Sequence, residues 1–262
     1  MANMTSSVSA SQVAGELASA TFEEIPALVE HYREDPRQQV IKACERALKR
    51  HAKELAERER VNDMYELMHE FGGDGGVVGV YEGGRGSVAG PLTVCAVCLP
   101  MEPRVWGIND SKKLTPARRE LLSVKIAEVA TAIGFCHIAP KDIDEMGMAR
   151  AIRTAVAGAV ADTGLEPDCV LMDGNPLGAV PNERDVVKGD AKIACIAAAS
   201  IMAKVTRDEM MVEYDAEYPE YHLAESKGYA SPEHIEAIRK HGLCPLHRVS
   251  FCGNFLQTER LF

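Results

Sequence analysis

The chain has 262 residues, of which 46% are hydrophobic, and its formal net charge is −10. This length suffices for one sizeable hydrophobic core with a smaller appendage, and the acidic charge argues against a protein that binds nucleic acid avidly over its whole surface. Apolar runs such as 92–99 and 193–203 are shorter than the roughly 20 residues of a membrane-spanning helix, so no transmembrane span is expected. Residues 1–19 are small and polar and lack the pattern of a secretory signal, which predicts a disordered tail on a cytoplasmic protein.

Residues 20–71 are predicted to form a helical N-terminal extension. Asp35 followed by Pro36 is typical of a helix N-terminus, and apolar side chains then recur at spacings of three, four and seven residues. The basic residues of this stretch alternate with glutamates, which favours a solvated helix face over a nucleic-acid contact. Four glycines within 72–76 interrupt the helical pattern and predict the boundary with a main domain at 72–262.

The main domain alternates between strand patterns and helix patterns. Strands are predicted at 77–81, 92–99, 134–138, 169–172 and 186–187. Helices are predicted at 115–132, 146–162, 193–214 and 232–240, with Thr115 and Ser231 as N-caps. This order predicts an α/β domain with a mixed sheet flanked by helices.

The eight cysteines include one CxxC pair, Cys95 and Cys98. Both lie in an apolar run predicted as a buried strand, where positions three apart face opposite sides and do not easily share a metal ion. We therefore interpret them as small core residues. The other six cysteines have no ligand spacing, as is usual in reduced cytosolic proteins.

Three acidic residues stand where predicted strands end: Glu82, Asp173 and Asp190. Strand ends are where α/β folds place their ligands. Carboxylates that converge there repel one another unless a cation neutralises them, and Mg2+ or Mn2+ prefers such oxygen ligands. Each acid singly is equally well explained as a turn or cap residue, whereas the three together indicate a metal site.

Groups suited to phosphate surround these acids in the sequence. The segment Gly83-Gly84-Arg85-Gly86 combines flexible backbone N–H groups with a guanidinium. Further positive charge, which would counter the acidic total locally, comes from Lys112, Lys113, Lys188, Lys192, Lys204, Arg207, Lys227 and Arg248. Some of these are expected to be ordinary surface residues.

Several motifs, in this order, resemble those of ribonuclease HII. They are residues 79–91 (GVYEGGRGSVAGP), 110–114 (DSKKL), 172–175 (MDGN), 188–190 (KGD) with 196–208 (IAAASIMAKVTRD), and 227–229 (KGY) followed by His234 and His247-Arg248. The resemblance covers roughly residues 75–255, and the helical segment before it is similar to an extension of some bacterial members. It implies a ribonuclease H-like fold.

The resemblance also implies a catalytic site. Glu82, Asp173 and Asp190 would be metal-binding carboxylates in a site that has four acids in the family, with two Mg2+ or Mn2+ ions between them. The substrate would be an RNA/DNA hybrid or duplex DNA containing ribonucleotides, cut to leave 5′-phosphate and 3′-hydroxyl ends by a cytoplasmic monomer.

Substrate-binding residues follow from the same motifs. The loop of Gly84, Arg85 and Gly86 would contact the 2′-hydroxyl that distinguishes RNA from DNA. Tyr229 would stack on the neighbouring deoxyribose, and Lys112 and Lys113 would contribute positive charge to substrate binding.

The chain departs from the family pattern at Tyr81, where the family has an aspartate. A phenol is neutral at neutral pH and offers one weaker oxygen to a metal ion. Gly83 and Ser87 replace a larger apolar residue and, commonly, a proline, which predicts a less rigid loop. Two functions therefore stay open: an active endonuclease, or a homologue that binds RNA/DNA hybrid without efficient cleavage. An acidic scaffold protein unrelated to nucleic acid would leave the ordered motifs unexplained.

Overall fold

The computed structural model describes residues 8–72 and 76–256. The chain divides into two compact units, Met1–Asn62 and Asp63–Phe262. The N-terminal unit is built from helices α1 (Ala10–Ser19), α2 (Ile25–His31) and the first part of α3 (Gln38–Gly72). None of the helices in the described ranges has the length and apolar character needed to cross a membrane.

Helix α1 lies in the segment that we predicted to be a disordered tail, and for residues 10–19 that prediction is wrong. Ser9 begins the helix with a capping box, in which its hydroxyl accepts a hydrogen bond from the Gln12 N–H and the Gln12 side chain accepts one from the Ser9 N–H. Val13 and Leu17 lie one helical turn apart and are buried in an apolar cluster with Ile25 of α2. Residues 1–7 of the predicted tail lie outside the described residues.

The C-terminal end of α3 packs within the second unit, which explains why the two units divide at residue 62 rather than at the glycines. Met64, Tyr65 and Met68 are buried there, and the Tyr65 hydroxyl accepts a hydrogen bond of 2.9 Å from the Val105 N–H. Burial raises the pKa of Tyr65 to about 12. Helix α3 ends at Gly72, where the glycine-rich segment begins, and residues 73–75 of that segment lie outside the described residues.

The second unit contains a five-stranded mixed sheet in the order β3-β2-β1-β4-β5, as the predicted α/β class requires. Strand β1 is antiparallel to β2 and parallel to β4, β2 is antiparallel to β3, and β4 is parallel to β5. The strands are β1 (Val77–Gly83), β2 (Leu92–Cys98), β3 (Ala132–Ile138), β4 (Cys169–Asp173) and β5 (Glu183–Val186).

Helices cover both faces of this sheet. The helices of this unit after α3 are α4 (Pro116–Val129), α5 (Pro140–Met146), α6 (Met148–Asp162), α7 (Ala194–Glu217), α8 (Leu223–Ser226), α9 (Pro232–His241) and α10 (Val249–Cys252). The main contacts with the strands come from α6 on one face and α7 on the other. Thr115 and Ser231 cap α4 and α9 as predicted. The helix predicted to begin at residue 146 is preceded by a separate helix, α5, because Gly147 at φ 78° ends one helix and starts the next.

The two faces of β1 carry different side chains. Val78 and Val80 pack with Val170 and Met172 of β4 and with helix α6 in the main hydrophobic core. On the other face, a Cβ atom at Gly79 would lie only 2.3 Å from the backbone carbon of Cys195, so glycine is required for the close approach of α7 to the sheet. Cys95 and Cys98 are buried in β2, and both are free thiols, as the strand assignment predicted.

Candidate active site

The ends of β1 and β4 bring Tyr81 and Asp173 together. These strands are parallel neighbours whose register runs from Val77 opposite Cys169 to Val80 opposite Met172. Continuing that register by one residue sets Tyr81 beside Asp173, the last residue of β4, on the face that meets α7. Glu82 follows directly. The apolar runs that make these strands therefore deliver their polar last residues to one edge of the sheet.

Asp190 reaches the same place from a short 3-10 turn, Gly189–Ala191, that precedes α7. The Gly189 N–H donates a hydrogen bond of 2.9 Å to Oδ1 of Asp173, which links the turn to the end of β4. Asp190 is buried. Burial, followed by the charges of Asp173 and Asp110, raises the pKa of Asp190 to about 6. Asp173 and Asp190 are therefore close enough to repel each other.

Glu82 is electrostatically coupled to the same acids. Burial raises the pKa of its carboxyl group, and the charge of Asp173 raises it further, while Arg85 lowers it. The Arg85 guanidinium lies 3.7 Å from Oε1 of Glu82. The three acids predicted from the strand ends thus interact pairwise, Glu82 with Asp173 and Asp173 with Asp190.

The donor set of these acids fits a hard divalent cation. Across residues 8–72 and 76–256, no group of three or more His, Cys, Asp or Glu side chains is arranged so that it could hold a metal ion. Mg2+ does not need one, because it usually binds one or two carboxylates and completes its shell with water and substrate phosphate. Glu82 and Asp190 both have raised pKa values, and a cation beside them would favour their charged forms. The residues therefore suit a metal that is held partly by the substrate.

Tyr81 occupies the position where a fourth acid is expected, and its side chain is buried. Nζ of Lys112 lies 5.9 Å from the centre of the ring. Burial raises the pKa of the Tyr81 phenol, and a hydrogen bond with Lys112 lowers it by less. The phenol is therefore neutral at neutral pH and contributes no charge to a metal.

Lys112 and Lys113 belong to a 3-10 turn, Ser111–Lys113, capped by the Asp110 carboxylate, which accepts a hydrogen bond of 2.9 Å from the Lys112 N–H. Lys112 faces Tyr81, and Lys113 is exposed. The charges of both lysines lower the pKa of Asp190. The turn thus supplies positive charge at the rim of the acidic cluster.

A pocket of about 300 Å3 opens beside the acids. It is lined by Tyr81, Glu82, residues 83–86, Ser111, Lys112, Lys204, Arg207 and Tyr229. Six residues predicted from the sequence, Glu82, Gly84, Arg85, Gly86, Lys112 and Tyr229, therefore line one cavity. Asp173, Asp190 and Lys113 do not line this pocket. The charge of Asp173 acts on Glu82, which does line it, and the charges of Asp173 and Lys113 act on Asp190.

The glycines of the loop at 84–86 have different surroundings. Gly84 has φ 78°, and a Cβ atom there would lie 2.1 Å from Nε of Arg207, so this position requires glycine. Gly86 faces open space, and Arg85 is exposed between them. A backbone in open space beside an exposed guanidinium can approach a sugar-phosphate chain closely.

Ser87 holds this loop by two hydrogen bonds of its side chain, which a proline at this position could not make. Its buried hydroxyl donates to the Gly84 carbonyl at 2.8 Å and accepts from Nη2 of Arg207 at 2.8 Å. The loop therefore keeps a defined path through side-chain bonds rather than through a proline ring.

Arg207 and Arg248 were predicted as positive charge suited to phosphate, but both are buried and bind backbone carbonyls. Arg207 donates to the carbonyls of Pro91, Lys227 and Ala89, and Arg248 donates to those of Gly90 and Arg85. Burial and the neighbouring charge of Arg207 lower the pKa of Arg248 to about 10. Both arginines lie within quoted motifs, 196–208 and His247-Arg248, but a motif does not show what a side chain contacts.

Tyr229 lies at the mouth of the pocket with 44% of its surface exposed. The guanidinium carbon of Arg207 lies 5.7 Å from the centre of its ring. The preceding residue, Gly228, accepts hydrogen bonds from the N–H groups of Val88 and Ala89 at 2.8 and 3.0 Å. Tyr229 is thus tied to the loop that carries Arg85, and its free ring face is available to a partner.

A mixed sheet in this order, with acidic residues at the ends of its central strands, defines a nuclease fold of the ribonuclease H class. The family model described as ribonuclease HII matches residues 78–254, and the model of the ribonuclease HII N-terminal domain matches residues 9–71. The chain belongs to the ribonuclease HII family, whose members are ribonuclease H endonucleases that depend on divalent metal ions.

Individual relatives agree with this assignment. The chain is 46% identical over 182 residues to ribonuclease HII of Ruminiclostridium cellulolyticum, an alignment that covers 69% of this chain and 71% of that protein. Among solved structures, ribonuclease H2 of Pyrococcus horikoshii OT3 has a TM-score of 0.59 and 27% identity, covering 70% of this chain and 99% of that one. Bst-RNase HIII in complex with Mn2+ shares the fold, with a TM-score of 0.56, 18% identity and coverage of 70% and 68%.

Proposed function

We propose that this chain is an endonuclease that hydrolyses the RNA strand of RNA/DNA hybrids and cuts at single ribonucleotides embedded in duplex DNA. Cleavage leaves 5′-phosphate and 3′-hydroxyl ends, and the enzyme acts as a cytoplasmic monomer. The observation that carries the proposal is the pairwise coupling of Glu82, Asp173 and Asp190 beside a pocket lined by the 84–86 loop and Tyr229. Such a pocket joins a cation site to a surface for a sugar-phosphate chain.

Glu82, Asp173 and Asp190 would hold the divalent cations, for which Mg2+ and Mn2+ are the candidates and two ions the expected number. When bound, the ions would supply an activated water and neutralise the charge that develops on the phosphate and the leaving oxygen. Burial raises the pKa values of Glu82 and Asp190, and the charge of Asp173 raises both further; a bound cation would favour the charged form of each carboxyl group, which supports this role. The Mn2+ complex of the structural neighbour supports Mn2+ as a ligand of the fold.

The chain's own residues would bind and orient the substrate. The open backbone at Gly86 and the exposed Arg85 would approach the ribose and phosphate around the scissile bond. Lys112 and Lys113 would bind the phosphate backbone near Asp190, and the exposed ring of Tyr229 would stack on the sugar that follows the ribonucleotide. A ribonucleotide would be distinguished by its 2′-hydroxyl.

A catalytically impaired homologue that binds RNA/DNA hybrid without efficient cleavage is the second candidate. The observation that favours it is the buried, neutral Tyr81 phenol at the end of β1. Because the phenol replaces a charged ligand and engages Lys112, it weakens the metal site while leaving the 84–86 loop and Tyr229 in place.

One experiment separates the two candidates. A labelled duplex with a single ribonucleotide is incubated with the protein in Mg2+ and then in Mn2+, and cleavage is followed on denaturing gels. Binding of the same duplex is measured by fluorescence anisotropy in EDTA, with an all-DNA duplex and Asp173→Asn as controls. Cutting at the ribonucleotide supports the nuclease; preferential binding without cutting supports the impaired homologue. Neither cutting nor preference for the ribonucleotide would reject both.

A further inference from the structure

Two buried histidines lie behind Tyr229, and the proposed reaction uses neither. His234 on α9 is 0% exposed, and His247 in the loop before α10 is 2% exposed. Their Nε2 atoms are 3.1 Å apart. A contact this short between two imidazole nitrogens is a hydrogen bond, so one ring donates a proton and the other accepts it.

The surroundings determine which ring is the donor. The Cys244 N–H donates to Nδ1 of His247 at 3.0 Å, so that nitrogen carries no proton and the proton of neutral His247 is on Nε2. Nδ1 of His234 lies 2.8 Å from the Tyr229 carbonyl oxygen, which can only accept, so Nδ1 of His234 carries the proton. His247 therefore donates to His234, and His234 donates to Tyr229.

We propose that His234 is a positioning residue that fixes Tyr229 against the substrate, and that His247 holds His234 in the tautomer this requires. The proposal rests on the proposed function, because the position of Tyr229 matters only if its ring contacts the substrate. The hydrogen bonds run in one direction, from the Cys244 N–H through both imidazoles to the Tyr229 carbonyl.

The ring of Tyr229 is exposed, so its position depends on the hydrogen bonds that hold the backbone of the residue. Its N–H donates to the Ser226 carbonyl at 2.9 Å, and its carbonyl accepts from the Ser231 N–H at 2.8 Å as well as from His234. The His234 bond differs from these local bonds because it ties the turn to the buried loop that carries His247. Losing it would free the turn to move the ring relative to the pocket.

The chain of hydrogen bonds exists only while both imidazoles are neutral. A further proton on either ring would set two donors against each other. On His234 it would face the Nε2–H of His247, and on His247 it would face the Cys244 N–H. Burial and the neighbouring imidazole lower the pKa of His247 to about 4, and burial lowers the pKa of His234. The other titratable groups that face or act on the pair are Tyr221, Cys244 and His222.

The test compares two substitutions of His234 that differ in one hydrogen bond. His234→Asn retains an N–H donor near the position of Nδ1, whereas His234→Ala removes it. The preference is the ratio of the dissociation constants for an all-DNA duplex and a single-ribonucleotide duplex. We expect this ratio to fall about tenfold in His234→Ala and to stay within about threefold of the parent value in His234→Asn. The dissociation constants are measured by anisotropy in EDTA, so the test does not depend on cleavage. His241→Ala, an exposed histidine on the same helix, is the matched control.

A double-mutant cycle shows whether His234 acts through Tyr229. If it does, His234→Ala combined with Tyr229→Ala binds no worse than Tyr229→Ala alone; additive losses would overturn the proposal. Unchanged preference in His234→Ala would overturn it as well. Should His234→Ala fail to fold, as judged by circular dichroism, His247→Asn replaces it in the same cycle with the same outcomes. Parent protein without any preference for the ribonucleotide would instead reject the proposed function.

Discussion

The hydroxyl of Ser87 accepts a hydrogen bond from Nη2 of Arg207 at 2.8 Å while it donates one to the Gly84 carbonyl at 2.8 Å. Nη1 of the same arginine donates to the Lys227 carbonyl at 2.7 Å. One buried side chain on α7 thereby connects the loop around Arg85 with the turn that carries Tyr229. The two segments proposed to recognise a ribonucleotide are built as one hydrogen-bonded unit.

Replacing Ser87 with alanine should loosen this unit. The substitution removes the donor to the Gly84 carbonyl and an acceptor of Arg207, both buried, and should cost about 1–3 kcal/mol of unfolding free energy. Urea unfolding gives the stability, and anisotropy gives the affinity ratio between ribonucleotide-containing and all-DNA duplexes, which should fall. Ser123→Ala, which removes a hydroxyl bonded within α4, is the control and should change neither. Equal effects of the two substitutions would contradict the role of Ser87.

Replacing Tyr81 with aspartate should raise cleavage at a single ribonucleotide by at least about tenfold in Mg2+, since even the loss of a residue that only orients metal ligands typically costs about 10–100-fold in metal affinity or activity. The new carboxylate would lie beside Lys112 and Asp173 and could share its oxygens with a cation. Tyr81→Phe keeps the ring without the hydroxyl and should cut no faster than the parent. If the parent and Tyr81→Asp cut equally fast, Tyr81 does not impair the site.

Asp173→Asn should weaken metal binding without destabilising the fold. The amide oxygen can still accept the Gly189 N–H, and loss of the charge removes its repulsion of Asp190 and Glu82. In EDTA we expect the melting temperature to equal or exceed that of the parent. Added Mn2+ should raise the melting temperature of the parent and raise that of the variant less, because ligands stabilise the state they bind. A variant that responds to Mn2+ as the parent does would remove Asp173 from the metal site.

The buried histidine pair predicts a loss of stability in mild acid. The folded-state pKa of His247 is about 4, below the ordinary value of 6.5, so the unfolded chain binds more protons between these pH values. The contribution of His247 is therefore complete above pH 6.5 and is lost as the pH falls towards 4, by about 3 kcal/mol. Urea unfolding across this range should show the loss.

His247→Asn keeps an acceptor for the Cys244 N–H and removes the titrating ring, so its stability should change less between pH 6.5 and 4. His241→Ala, which removes an exposed histidine, should follow the parent. The same pH dependence in all three proteins would show that the acid-sensitive group lies elsewhere.

The parts of the fold that follow local rules could be predicted from the sequence. Strands β1 and β4 are apolar runs that end at a polar residue, and Thr115 and Ser231 cap their helices through bonds to residues three positions away. The strand predicted at 186–187 overlaps β5 only at Val186, because Glu183, Arg184 and Asp185 show no apolar pattern. This edge strand is held by backbone pairing with β4. Helix α1 was missed because small polar residues surround its two buried side chains.

The arrangement of the site depends on contacts that span the sequence. Strand ends predicted which acids meet, because the register of neighbouring strands is a local property of the sheet. The bond between Ser87 and Arg207 joins residues 120 positions apart, and that between Arg85 and Arg248 joins residues 163 apart. No spacing rule connects such pairs, so their geometry became available only with the packing of α7 and the C-terminal loop against the sheet.

The two buried arginines have a consequence for how the recognition loop can be altered. Their acceptors are mainly carbonyl oxygens, namely those of Arg85, Ala89, Gly90, Pro91 and Lys227. A carbonyl oxygen is present whatever side chain its residue carries, so apart from Gly84 and Ser87 the path of the loop is specified from α7 and from residue 248 rather than by the loop's own side chains. An exposed position such as 85 can therefore be diversified in a library, to select altered sugar preference, while the scaffold that presents it stays intact.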